Sequence, residues 1–247
     1  MCTVTFIPAN GRYYFASLRD ENPQRQRAII PEQIYTAGKC SFIAPVDPLG
    51  GGTWAGVNEL GNVIILLNGG FKNHTKKNDY LKSRGSIVTY LLKVEAPLND
   101  WYLMELNNIE PFTLITWTGE KLFQLVWDGE KKHQLELCKE ETHIWSSSTL
   151  YDERAKKTRS KLFADWMSTK PSVSKLSLFN FFKTHNDIWN GFLINRNKKI
   201  KTLSYTFIDI ITHEAATVSY FDFTTATQHT IKTLLQSKKA SAICSII

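Results

Sequence analysis

The sequence predicts an α+β fold. Short β-branched and aromatic runs follow one another in pairs, helical patterns are gathered rather than interleaved with them, and no repeat, low-complexity block or long linker divides the 247 residues. Successive strand pairs with grouped helices favour α+β over a doubly wound parallel sheet. One domain spanning residues 1–247 is expected, long enough to bury a sizeable core.

In chain order, Thr3–Pro8 and Tyr13–Ser17 form a first hairpin around Ala9-Asn10-Gly11-Arg12, whose Asn-Gly step is a strong hairpin signal. Thr53–Val57 and Asn62–Leu67 form a second around Asn58–Gly61. Its second strand is apolar at successive positions, the mark of a strand buried on both faces. Arg84–Val94 reads as a helix capped by Ser83, with Ile87, Leu91 and Val94 at helical spacing. Phe112–Trp117, Leu122–Trp127 and Gln134–Leu137 read as strands, the last two joined by an Asp128-Gly129 turn. Leu150–Trp166 reads as a helix with a basic outer face, for which Ser146–Thr149 supplies the cap. Ser172–His185 reads as a further helix with Val173, Leu176, Phe179 and Phe182 on one side. Leu203–Ile211 and Ala215–Asp222 are strands, and no element is assigned to the tail.

Composition narrows the function classes. No apolar run reaches eighteen residues, so no membrane-spanning helix is expected, and no secretory signal pattern opens the chain. Cys2, Cys40, Cys138 and Cys244 show no CxxC spacing, which argues against structural zinc and dense disulfides and fits a reduced, cytoplasmic setting. The six histidines show no HExxH-like pairing, so neither a metal nor another cofactor is expected. The net charge of +7 concentrates in lysine clusters at Lys72–Lys82, Lys156–Lys161 and Lys198–Lys201. These lack the interleaved aromatics of a single-strand binder, so solvated surface is expected and nucleic acid is not.

Chemistry is suggested first by Cys2. Removal of Met1 would leave a residue with a thiol and a free α-amine, whose ordinary pKa values are about 8.5 and about 7.7–8.0. The amine can then take the thiol proton, so nucleophile and base come in one residue. The competing reading is a small buried hydrophobe. The first hairpin returns Leu18-Arg19-Asp20-Glu21 beside the start of the chain, so Arg19 and Asp20 can lie near Cys2; a charged surface turn is the alternative. Gly50-Gly51-Gly52-Thr53 lacks the Lys-Ser/Thr ending of a phosphate loop, and close backbone approach explains its glycines better. Asn68, at the end of a buried strand and followed by two glycines, can act as an oxyanion donor or begin a turn.

Cys2, Leu18-Arg19-Asp20-Glu21, Gly51-Gly52-Thr53-Trp54-Ala55-Gly56 and Asn68 together resemble the NRDE family, which includes the transport and Golgi organisation 2 proteins. Leu18 stands where that family has Asn, and Ser147 stands where a further Asn is expected. The family is similar in turn to N-terminal nucleophile hydrolases of the choloylglycine hydrolase and penicillin acylase type. The resemblance implies a four-layer αββα sandwich and a catalytic set of Cys2, Asp20 and Asn68, with Arg19, Trp54 and Ser147 as substrate-binding positions. It implies an amidase acting on a non-peptide C–N bond of a small-molecule substrate through an acyl-enzyme on Cys2. The alternative is an inactive relative that binds a small molecule or a protein.

Overall fold

A computed structural model describes residues 3–77, 79–197 and 199–236; Cys2, Lys198 and Cys244 lie outside the described residues. The chain opens with strands β1 (Thr3–Ala9), β2 (Arg12–Glu21), β3 (Ile29–Ile34), β4 (Phe42–Val46), β5 (Ala55–Asn58) and β6 (Val63–Asn68). Helices α1 (Arg84–Leu92) and α2 (Pro97–Leu103) precede strands β7 (Phe112–Trp117), β8 (Leu122–Trp127), β9 (Lys132–Leu137) and β10 (His143–Ser146). Helices α3 (Glu153–Ser168) and α4 (Lys175–Thr184) follow, then strands β11 (Asn195–Arg196), β12 (Ile200–Ile211), β13 (Ala215–Asp222) and β14 (Thr227–Leu234).

The strands make two antiparallel sheets. The first runs β10-β1-β2-β12-β13-β14, with β11 beside β12; the second runs β3 to β9 in sequence order. Hydrophobic side chains of the two sheets meet in one core, where Trp117 of β7 lies 4.3 Å from Tyr13 and 6.1 Å from Phe6 across the sandwich. The other face of the first sheet offers Ala16, Leu18 and Phe207 to Phe163 of α3 and Leu178, Phe181 and Phe182 of α4. Helix α1 covers the second sheet, and Gly56 permits its close approach: a Cβ there would lie 2.7 Å from Leu92. The layers are therefore α, β, β, α, as expected. No helix among the described residues is long and apolar enough to cross a membrane.

Local chemistry accounts for the elements read correctly. Asn10 and Gly11 both adopt positive φ, 53° and 72°, which closes β1–β2 as a two-residue turn matched to strand twist. Ser83 caps α1 by accepting the Gly85 N–H. Strand β6 is buried at five successive positions because sheet neighbours flank it and core covers both faces.

Four expectations need correction. Helix α3 begins at Glu153, because Asp152 accepts the Ala155 N–H at 2.8 Å while Ser147 instead closes a turn with Leu150 and Tyr151. Within the Lys156–Lys161 cluster, expected as solvated surface, Arg159 is instead buried, while Arg154, Lys157 and Lys161 keep the outer face of α3 basic. In α4 the buried stripe is Leu178, Phe181 and Phe182; Leu176 is exposed, because the stripe is set by where the sheet lies and not by the best apolar spacing. Strands β3, β4, β10, β11 and β14 and helix α2 have no counterpart among the elements the sequence predicts. Strand β3 carries Pro31 and a register shift, which suits a sheet edge and masks the alternation.

Candidate active site

The edge of the sandwich is organised by strand register. Thr3 pairs with Leu18 on one side and with Ser146 on the other, so the last residues of β2 run on past the described start of β1. Side chains alternate across a strand, and the two charges there part company. Arg19 faces the second sheet, with its guanidinium 4.6 Å from the Trp54 ring and 3.9 Å from Asp47. Asp20 faces the helix layer, where its carboxylate accepts from Thr202 Oγ1 at 2.6 Å and from the Tyr151 hydroxyl at 3.1 Å. Neither is a surface residue: Arg19 is 5 % exposed and Asp20 3 %.

Burial sets both titrations. Desolvation lowers the pKa of the Arg19 guanidinium, against the opposing pull of Glu21 and Asp47. Desolvation raises that of the Asp20 carboxyl, partly offset by the Thr202 hydroxyl, the Arg159 charge and the Tyr151 hydroxyl.

Arg159, unmarked in the sequence, is the buried cation behind this edge. Its Nε donates to Ser146 Oγ at 2.8 Å, Nη1 donates to the carbonyls of Asn190 and Gly191, and Nη2 donates to Thr3 Oγ1. The guanidinium lies between the Tyr151 and Phe192 rings, 4.2 and 4.3 Å from their centroids. One side chain thus pins β1, β10 and the 190–191 loop.

The second sheet brings Asn68 to the same edge. Ser147, which follows β10, donates to the Asn68 carbonyl at 2.9 Å and shares a bond with Thr149. This fastens the end of β6 to the strand that pairs with β1. Gly69 turns the chain at φ 84°, and a side chain there would collide with Ser148. Among the described residues the Asn68 side-chain amide makes no hydrogen bond. Asn68 borders a cleft of about 510 Å³ that also exposes Arg19, Glu21, Trp54 and Arg84. Asp20 does not border it.

The glycine segment ahead of Trp54 serves close approach. A Cβ on Gly52 would lie 2.6 Å from the Gly85 carbonyl oxygen, and Gly51 has φ 63°. The segment therefore lies directly against the start of α1, where the Thr53 N–H donates to the Gly85 carbonyl. The cleft also contains ion pairs that the sequence reading missed: Arg25 with Asp47 at 2.5 Å and Arg84 with Glu110 at 3.2 Å. The Gly-Gly-Thr-Trp block and the start of the helix expected from Arg84 lie beside them, but spacing alone could not pair residues so distant in the chain. Among the described residues no three His, Cys, Asp or Glu side chains gather as a metal ion would require.

The Cys2 thiol lies outside the described residues, so the site is defined by what surrounds its chain neighbour Thr3. Arg19, Trp54 and Asn68 share one cleft; Ser147 ties its wall from behind; Asp20 sits across the sheet.

Comparison with known proteins places this geometry. The profile described as Transport and Golgi organisation 2 matches residues 1–230. No curated protein sequence matches the chain. Among solved structures, a Caenorhabditis elegans N-acylethanolamine-hydrolyzing acid amidase ortholog is similar with a TM-score of 0.58 and 10 % identity, covering 84 % of this chain and 92 % of its own. A cysteine-to-alanine mutant of conjugated bile acid hydrolase from Clostridium perfringens is similar with a TM-score of 0.57 and 10 % identity, covering 96 % and 97 %. An arginine-to-leucine variant of that hydrolase gives 0.57 and 10 %, with complete coverage of both chains. The fold is that of the N-terminal nucleophile hydrolases.

Proposed function

We propose that this chain, which belongs to the Transport and Golgi organisation 2 family, is an N-terminal-cysteine amidohydrolase acting on a non-peptide C–N bond of a small substrate. The observation that carries the reading is Asn68, whose side-chain amide has no hydrogen-bond partner among the described residues and which borders a cleft together with Arg19 and Trp54. An amide held ready at a cleft suits a donor to an oxyanion.

In this reading the α-amine freed by loss of Met1 takes the Cys2 thiol proton. The thiolate attacks the substrate carbonyl carbon, and Asn68 donates to the developing oxyanion. Collapse breaks the C–N bond and the leaving amine takes the proton held by the α-amine. Water then attacks the thioester, releasing a carboxylic acid and restoring the thiol. Asp20 acts from behind the sheet, holding the strand end through Thr202 and Tyr151. Arg19 and Trp54 contact substrate from the cleft wall, and Ser147 orients Asn68 through its carbonyl.

The buried Cys40 thiol, pushed up to about 11 chiefly by desolvation, would be inert, leaving the exposed Cys138, together with Cys244 outside the described residues, as competitors that the mapping must separate from Cys2. The test joins intact mass, limited iodoacetamide labelling with peptide mapping, and turnover of a panel of fluorogenic acyl amides. Absence of Met1, preferential labelling of Cys2, and turnover with a trappable acyl adduct that Cys2→Ala abolishes are expected. Retained or acetylated Met1, or turnover surviving Cys2→Ala, would sink the mechanism.

A second reading, a binder without turnover, is favoured by two positions. Leu18 is packed into the helix-side apolar cluster, and the Ser147 hydroxyl is committed to Asn68 and Thr149. Labelling of Cys2 with no hydrolysis across the panel would select it.

A further inference from the structure

The cleft beside Asn68 is charged in one direction. Five cations border it, Arg19, Arg25, Lys76, Lys82 and Arg84, against the three carboxylates Glu21, Asp47 and Glu110, a surplus of two positive charges among these eight side chains. The carboxylates are largely engaged: Asp47 with Arg25 at 2.5 Å, Glu110 with Arg84 at 3.2 Å, and Glu21 3.8 Å from Arg25. Among the described residues Lys76 and Lys82 have no carboxylate within ion-pair distance, and Arg19 has only Asp47 at 3.9 Å. Solvation accounts for exposed lysines, but not for Arg19. The residue is 5 % exposed, and the Trp54 ring lies 4.6 Å from its guanidinium. A buried cation without a close counter-charge is costly unless an anion completes it. The amino-terminal end of α1, at Ser83 to Gly85, borders the same cleft and adds to the positive field.

We propose that this cleft binds an oxyanion of its ligand, a carboxylate or a phosphate, between Arg19 on the inner wall and Lys76 and Lys82 at the mouth. The inference deepens the amidohydrolase reading by assigning the substrate class: a small amide that also carries a negative group. Arg19 fixes the anion at the wall, where water is scarce and the interaction is least screened. The two lysines raise the local concentration of anionic ligands at the mouth.

Two measurements on the full chain test it. In the first, thermal unfolding is followed with citrate and with inorganic pyrophosphate at constant ionic strength. At least one should raise the midpoint by several degrees, and the Lys76→Gln/Lys82→Gln variant should lose most of that rise. Citrate alone would mark a carboxylate site and pyrophosphate alone a phosphate site. No rise with either, or a rise undiminished in the variant, overturns the proposal. In the second, Cys2 alkylation by iodoacetate is compared with that by iodoacetamide. Both reagents need the thiolate, so their rate ratio cancels thiol reactivity and reports the field. That ratio should exceed the ratio in the urea-unfolded chain by about three- to tenfold and fall in the variant. An unreactive Cys2 would defeat the amidohydrolase reading while the citrate and pyrophosphate titrations still decide the anion site.

Discussion

Arg159→Met should destabilise the protein by about 3–5 kcal/mol, the range for removing one member of a buried charged network. The side chain is almost fully buried, 1 % exposed, and its guanidinium donates to two hydroxyls and two carbonyls while lying between two aromatic rings. The hydroxyls of Thr3 and Ser146 lose a donor but can still donate their own O–H, whereas the Asn190 and Gly191 carbonyls can only accept and lose the donor they had. Each such orphaned group costs about 1–3 kcal/mol. Lost cation–π contact adds about 1–2 kcal/mol, and the charge desolvation no longer incurred offsets part of the total. Lysine keeps the charge but not the fork, so Arg159→Lys should recover less than half of the loss. Urea unfolding followed by tryptophan fluorescence measures both variants.

The same perturbation carries a pH signature. Asp20 has a raised folded pKa, so its contribution to stability is full below the unfolded carboxyl range and declines as pH rises through the folded value. The Arg159 charge holds that value down. Without it the value climbs further, and the deficit of Arg159→Met should be larger at pH 8 than at pH 4. A loss below about 1 kcal/mol, or a deficit independent of pH, would refute the view that this cation is an energetic anchor of the strand edge.

Three further outcomes are expected. Asn68→Ala should lower the acylation rate by about 10²–10³-fold with little change in stability, because its amide holds no partner among the described residues; single-turnover kinetics and urea unfolding on the same variant check both halves. Leu18→Asn, which restores the residue type expected from the NRDE resemblance, should cost about 2–4 kcal/mol and gain no activity, since position 18 is fully buried in the apolar cluster under α3 and α4. Asp128 is held down to about 2: partial desolvation raises it, but the Lys131 N–H, the His133 ring and the Glu130 N–H together lower it further. Its contribution is present above the unfolded carboxyl pKa and lost as pH falls toward 2, so Asp128→Asn should be less stable than the parent at pH 6 and equal to it near pH 2.

The sequence by itself determined the elements whose signals are local. Asn10-Gly11 must turn because both residues accept positive φ, β6 reads as buried on both faces because Val63 to Leu67 are apolar without a break, and Ser83 announces α1 because its hydroxyl can reach the Gly85 N–H. It also brought Arg19 and Asp20 to one strand and fixed them on opposite faces, since strand periodicity is two. Only the tertiary structure decided which face each would meet. Arg19 lies against Trp54 of the other sheet, and Asp20 lies against Tyr151 and Thr202, because the packing order of layers is a long-range outcome that no window of sequence encodes. The same reason hid Arg159 among lysines of an apparently solvated helix, turned Leu176 outward and Phe181 inward, and gathered Arg25, Asp47, Arg84 and Glu110 from separate segments into one cleft. Burial and charge pairing between distant residues depend on where sheets and helices finally stack, and that is settled by the summed packing of the core rather than by any residue's own preference.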